Sequence, residues 1–216
     1  MNRTRLLALL LSLAAVAGCK TINTFKTKSP DPGTNEGPWA TVRNASTRRG
    51  IIYDEFQQRA MATATYLSPG VREARTRRLG EWLGWTDKEL ADHLAAEAAE
   101  AARYDDFLLA FFCPDRRSND LDSRNSVWRL ALRLDDGTEV VTRDATVVDT
   151  NATLVNLLRY LSAFDTVYRV RFNRVAGAPL QGRRFTFQIA SALGKIELVY
   201  GDGAIGPDRP EGSLPQ

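Results

Sequence analysis

Histidine, cysteine and methionine are scarce in this 216-residue chain, which holds one, two and two of them. A general base working near neutral pH is most often histidine, and His93 is the sole candidate. No Gly-x-Ser-x-Gly elbow and no His-Glu-x-x-His pair occurs, so the chain reads as non-catalytic and without a cofactor. An excess of one charge is missing too. Lysine and arginine total 29 against 26 acidic residues, and removal of the first 18 residues takes Arg3 and Arg5, leaving 27 against 26. Nucleic-acid binding, which rests on neutralised phosphates, thereby loses its electrostatic basis. Nor is there a long hydrophobic run: Leu6 to Ala17 covers 12 residues, whereas a membrane-spanning helix needs about 20. What is present is a composition 44% hydrophobic and 25% charged, ordinary for a globular domain. The length fits one good-sized domain with appendages.

The N-terminus carries an address. Arg3 and Arg5 form a positive head, Leu6 to Ala17 an apolar core, and Val16-Ala17-Gly18-Cys19 a run of small residues before a cysteine. This segment resembles a bacterial lipoprotein signal with its lipobox. The resemblance implies that residues 1–18 are a signal peptide cut before Cys19, and that Cys19 is diacylated on sulfur and its new amine acylated as well. Each buried methylene contributes about 0.8 kcal/mol and one acyl chain holds only marginally, so two or three chains make a stable anchor in the bilayer. Lys20 follows where an aspartate would signal inner-membrane retention in enteric bacteria, which by the same resemblance favours the outer membrane, and the expected placement is on its periplasmic side. The alternatives are an ordinary secretory signal with a chance cysteine, or a buried cysteine in a cytosolic helix. With Cys19 lipidated only Cys113 remains, so no intrachain disulfide forms, and one histidine with one cysteine cannot fill a closed zinc site.

Composition divides the rest. Residues 19–50, with Ser29-Pro30-Asp31-Pro32-Gly33 and Asn35-Glu36-Gly37-Pro38, read as a flexible tether, and residues 201–216, rich in glycine and proline, as a disordered tail. Residues 51–106 read as helical. Phe56, Ala60 and Ala64 recur at helical spacing, Ser68-Pro69 fits an N-cap with proline at the first helical position, and Thr86 to Glu89 is a capping-box pattern. From residue 107 to 200 the period becomes two. Trp128, Leu130, Leu132 and Leu134 alternate with arginines and alanine, Asp135-Asp136-Gly137 supplies a hairpin turn, and Tyr168, Val170, Phe172 and then Phe185, Phe187, Ile189 continue the pattern. Strands with one apolar face must bury those faces together, which predicts an α+β fold: an N-terminal helical region packed on an antiparallel β-sandwich.

Several short segments, Tyr66-Leu67-Ser68-Pro69 with Arg72-Glu73-Ala74, Asn119-Asp120-Leu121 before Trp128-Arg129-Leu130, Tyr168 to Phe172, and Gly194 before Leu198, resemble an uncharacterised family of bacterial lipoproteins over residues 51–200. That resemblance carries no activity and no functional residue.

Four groups of side chains hold what chemistry the sequence offers. His93 lies in a helix and Cys113 ends an apolar strand, where a buried inert thiol is the common outcome. Asp115, Asn119, Asp120 and Asp122, with Asp105 and Asp106 nearby, supply the oxygens a calcium ion requires, but also suit a solvated turn whose side chains bond its own backbone. Arg129, Arg133, Arg169 and Arg171 lie opposite the apolar stripes, and on neighbouring strands they would make a basic patch for an anionic glycan or small ligand. The leading expectation is a membrane-anchored envelope lipoprotein, structural or binding another envelope protein. The second is a binding module for an anionic ligand at the arginine face or the acidic loop.

Overall fold

The computed structural model describes residues 37–174, 180 and 182–201. The chain divides into Met1–Glu36 and Gly37–Gln216, and every described residue belongs to the second unit. The signal peptide, Cys19 and the expected tail after Gly201 lie outside the described residues. Helix α1 (Pro38–Ala45) leads into β1 (Thr47–Asp54) and β2 (Gln57–Tyr66). Helices α2 (Pro69–Leu83) and α3 (Asp87–Arg103) follow, then β3 (Tyr104–Phe112) and a 3-10 turn at Arg116–Ser118. The remainder is β4 (Arg129–Leu134), β5 (Glu139–Val141), β6 (Asp144–Val147), α4 (Ala152–Leu157), β7 (Thr166–Asn173), β8 (Phe185–Ser191) and β9 (Gly194–Tyr200).

Residues 51–66 correct the sequence reading. The segment expected to be helical is a β-hairpin in which Ala60, Ala62 and Ala64 are buried on one face. Phe56, Ala60 and Ala64 are four apart, a spacing that also fits every second position of a strand, and Thr63 and Thr65 between them prefer strands. Phe56 instead sits in the hairpin turn, fully exposed, after Glu55 in the left-handed region at φ 54°. The expected tether also ends early. Within it Trp39 is buried in α1, where its Nε1 donates to the Leu157 carbonyl at 2.9 Å. Arg43 Nη1 donates to the same oxygen at 3.2 Å, so α1 caps a carbonyl at the end of α4.

All strand pairs are antiparallel and form two sheets, β1-β2-β3-β7-β6 and β5-β4-β8-β9. Their inner faces make the main core, centred on Phe107, whose ring centroid lies 4.7 Å from that of Phe187 and 5.1 Å from that of Tyr66. The sheets also meet at both edges. On one side the chain crosses from β5 to β6, with Thr142 N donating to the Leu130 carbonyl and Arg143 N to the Arg171 carbonyl. On the other, Arg48 Nε of β1 donates to the Val199 carbonyl of β9 at 2.9 Å. Two glycines permit that approach: a Cβ on Gly50 would stand 2.5 Å from Ile196 Cγ2, and one on Gly194, at φ 134°, 2.9 Å from Ile52 Cγ2.

The helices cover the outer face of the five-stranded sheet. A second apolar cluster joins Trp39, Leu67, Val71, Leu108, Leu157 and Leu158 there. The expected caps are present: the Ser68 hydroxyl accepts from Val71 N, and Thr86 and Glu89 form the full capping box. No helix among the described residues is long and apolar enough to cross a membrane.

Candidate functional site

Strand alternation sends the adjacent Asp105 and Asp106 to opposite faces of β3, and both are buried. Asp105 points with the inner residues and accepts from the Tyr66 hydroxyl at 2.8 Å. Burial raises its pKa above the ordinary aspartate value, against the lowering effect of Tyr66 and Arg174. Asp106 faces the helices and is fully buried, accepting from Arg72 at 2.7 Å, Arg169 at 2.6 Å and Arg171 at 2.9 Å. Burial opposes its charge, but hydrogen bonds from Arg171, Arg169 and Arg72 outweigh burial and bring its pKa down to about 2. Helix α3 adds two carboxylates. Glu97 accepts from Arg72 at 2.7 Å and from Arg75 at 2.5 Å, and Glu100 accepts from Arg169 at 3.2 Å and from Arg171. The cluster ties α2 and α3 to β3 and β7.

This geometry divides the four arginines read from the sequence. Arg169 and Arg171, on β7, are engaged with Asp106 and Glu100, while Arg129 and Arg133 lie on β4 in the other sheet. There both pair with Glu139 of β5. The continuous basic patch conditional on adjacent strands is therefore corrected to two separate, paired groups. Arg72, Arg75, Glu97 and Glu100 escaped the sequence reading. Their signal was an arginine-rich helix face and acids three apart on the next helix, and such patterns ordinarily mean solvated surfaces.

The acidic loop is tied to itself. Asp115 accepts from Arg117 N at 3.1 Å and from the Ser118 hydroxyl at 2.8 Å. Asn119 donates to Thr166 Oγ1 at 3.1 Å, its carbonyl accepts from the Tyr168 hydroxyl at 3.0 Å, and Asp120 accepts from the Ser126 hydroxyl at 2.9 Å. Asp122 is exposed. Among the described residues no three histidine, cysteine, aspartate or glutamate side chains converge, and Asp115, Asn119 and Asp120 bond within the loop and to β7. His93 is exposed and stacks on Trp85 with ring centroids 3.9 Å apart. Cys113 is buried, donates to the Arg59 carbonyl at 3.4 Å, and has its thiol pushed up by burial.

One end of the sandwich has a different character. The turn between β1 and β2, the loops entering β4 and β7, and the turn between β8 and β9 gather there by strand register. Tyr53, Phe56, Val127, Phe164 and Leu193 all stand exposed at this end, Phe56 at 100% and Phe164 at 76%. Phe164 also touches Phe112, ring centroid to ring centroid at 6.3 Å. Trp82, Leu83, Val141, Val147 and Val155 are the other exposed large apolar residues and lie elsewhere on the described surface. No family model, no curated protein and no solved structure matches this chain.

Proposed function

We propose that the chain is an envelope lipoprotein, anchored in the outer membrane through acylated Cys19, that binds another envelope protein through the loop end of its sandwich. The observation carrying this reading is the set of five exposed apolar side chains there, led by Phe56 at a hairpin tip. Aromatic anchors that leave water on binding dominate interface energetics, and Phe56 and Phe164 have the required size and exposure. The chain enters β1 at the opposite end, where Thr47 faces Thr65. A strand of eight residues then spans about 26 Å to the turn. The likeness of residues 51–200 to uncharacterised bacterial lipoproteins belongs to the same proposal. The alternative of an anionic ligand on one continuous arginine face is the weaker one, because Arg129 and Arg133 lie on the other sheet from Arg169 and Arg171 and pair with Glu139.

Two variants test this. In cells given an alkyne palmitate, wild type takes up label and Cys19→Ser does not; label on the Cys19→Ser chain overturns the anchor. After envelope crosslinking, wild type retains one specific protein, and Phe56→Ser with Phe164→Ser loses it while keeping the wild-type melting temperature. Undiminished retention by that double variant overturns the docking end.

A further inference from the structure

A second feature lies on the helical side, away from the loop end. Leu79 and Leu83 of α2 form one wall of a cleft of about 500 Å³, Leu154 and Leu157 of α4 the other, and Leu108 of β3 lies between. That volume is within the range of small-molecule sites. Arg75 and Arg169 line the same cleft and also a smaller one beside Trp85 and His93. The apolar cleft thus ends on the guanidinium cluster around Asp106.

The charge balance of that cluster is uneven. Arg72, Arg75, Arg169 and Arg171 face Asp106, Glu97 and Glu100, which leaves one positive charge in excess. Arg169, whose side chain is 37% exposed, brings positive charge to the cleft, whereas the Arg72 side chain is 2% exposed and turned into the cluster. Arg169 donates through Nε and Nη2, and its Nη1 has no partner among the described residues. Arg75 meets Glu97 through Nη2, while its buried Nε has no hydrogen bond. The more exposed guanidinium of Arg169 is the donor that an incoming acceptor meets from the cleft. Asp149 at the rim is exposed, so its opposing charge is screened.

We propose that this cleft binds a single-chain amphiphile with a carboxylate head, the head on Arg75 and Arg169 and the alkyl chain along Leu79, Leu83, Leu108, Leu154 and Leu157. Guanidinium groups match carboxylates in geometry and charge, and every methylene leaving water adds affinity. This binding is independent of docking at the loop end.

The test uses cells expressing the full chain and a dodecanoate bearing a photoreactive diazirine in its tail. Irradiation and peptide mapping should place adducts on α2 and α4, near Leu83 and Leu154, with excess decanoate suppressing them and excess decanol leaving them. Arg75→Gln, which leaves the contacts of Asp106 in place, should lower labelling about tenfold or more, and Leu154→Asp should abolish it. Resistance to proteolysis shows that both variants fold. Equal competition by decanol overturns the role of the arginines, and adducts spread over exposed α3 overturn the site. Suppression by an apolar peptide with a free C-terminal carboxylate, but not by decanoate, gives the cleft to a chain terminus and overturns the proposal as well.

Discussion

At the scale of single residues, Asp105 and Asp106 show how one peptide bond separates two environments. Asp106 has its carboxyl pulled down to about 2 by three arginines, below the unfolded value of about 3.9. Its contribution to stability is therefore complete above about pH 4 and is lost as pH falls through about 2. Asp105 is shifted the other way, chiefly by burial. The folded state holds that proton more tightly than the unfolded chain, so its contribution declines as pH rises from the ordinary aspartate value. Asp106→Asn, which leaves buried arginines short of a carboxylate, should cost about 3–5 kcal/mol at pH 7, with the loss shrinking toward pH 2. Asp105→Asn keeps an oxygen for the Tyr66 hydroxyl and should change stability at pH 7 by less than about 1 kcal/mol. Urea unfolding of both variants at pH 7 and pH 2 checks the pair, and equal losses at the two positions would contradict it.

At the scale of elements, the closing contact between β1 and β9 makes its own prediction. Gly50→Ala places a methyl against Ile196 and should cost about 1–3 kcal/mol, as overpacked positions do. Ile196→Ala alone should cost about 2–5 kcal/mol. Together they should cost less than the sum, since each change makes room for the other; additive urea midpoints would mean the two strands do not bear on one another there. Capping gives a smaller effect: Thr86→Ala should cost about 0.5–2 kcal/mol, read as a loss of thermal stability. The elements also show what the sequence made legible. Strands β4, β7 and β8 alternate apolar residues with arginine, threonine or glutamine, and in β9 Lys195 and Glu197 flank Ile196; a period of two has no helical equivalent. The spacing of Phe56, Ala60 and Ala64 serves both periods, and it misled although Ala60, Ala62 and Ala64 recur every second residue. Helix α4 has six residues, too few to show a period. In the site, the outward direction of Arg169 and Arg171 was legible from alternation. Their partner was not, because Asp106 lies 63 residues before Arg169 and only the sheet register brings them together.

At the scale of the molecule, the described residues have two distinct outer regions: a loop end with exposed aromatics and a helical side with a cleft ending on arginines. Burial accounts for neither Phe56 nor Phe164, so replacing either by serine should leave stability within about 0.5 kcal/mol of wild type. Trp39 is the opposite case. It holds α1 against the Leu157 carbonyl and is buried, and Trp39→Ala should cost about 3–5 kcal/mol, measured by urea unfolding. The most direct measurement of the central claim, that the loop end docks a protein partner, is site-specific photocrosslinking in intact envelopes. A photoreactive amino acid at position 56 or 164 should give one discrete adduct of higher mass, and the same residue at position 155, on exposed α4, should give none. The same adduct from all three positions, or no adduct from 56 and 164, would contradict the account.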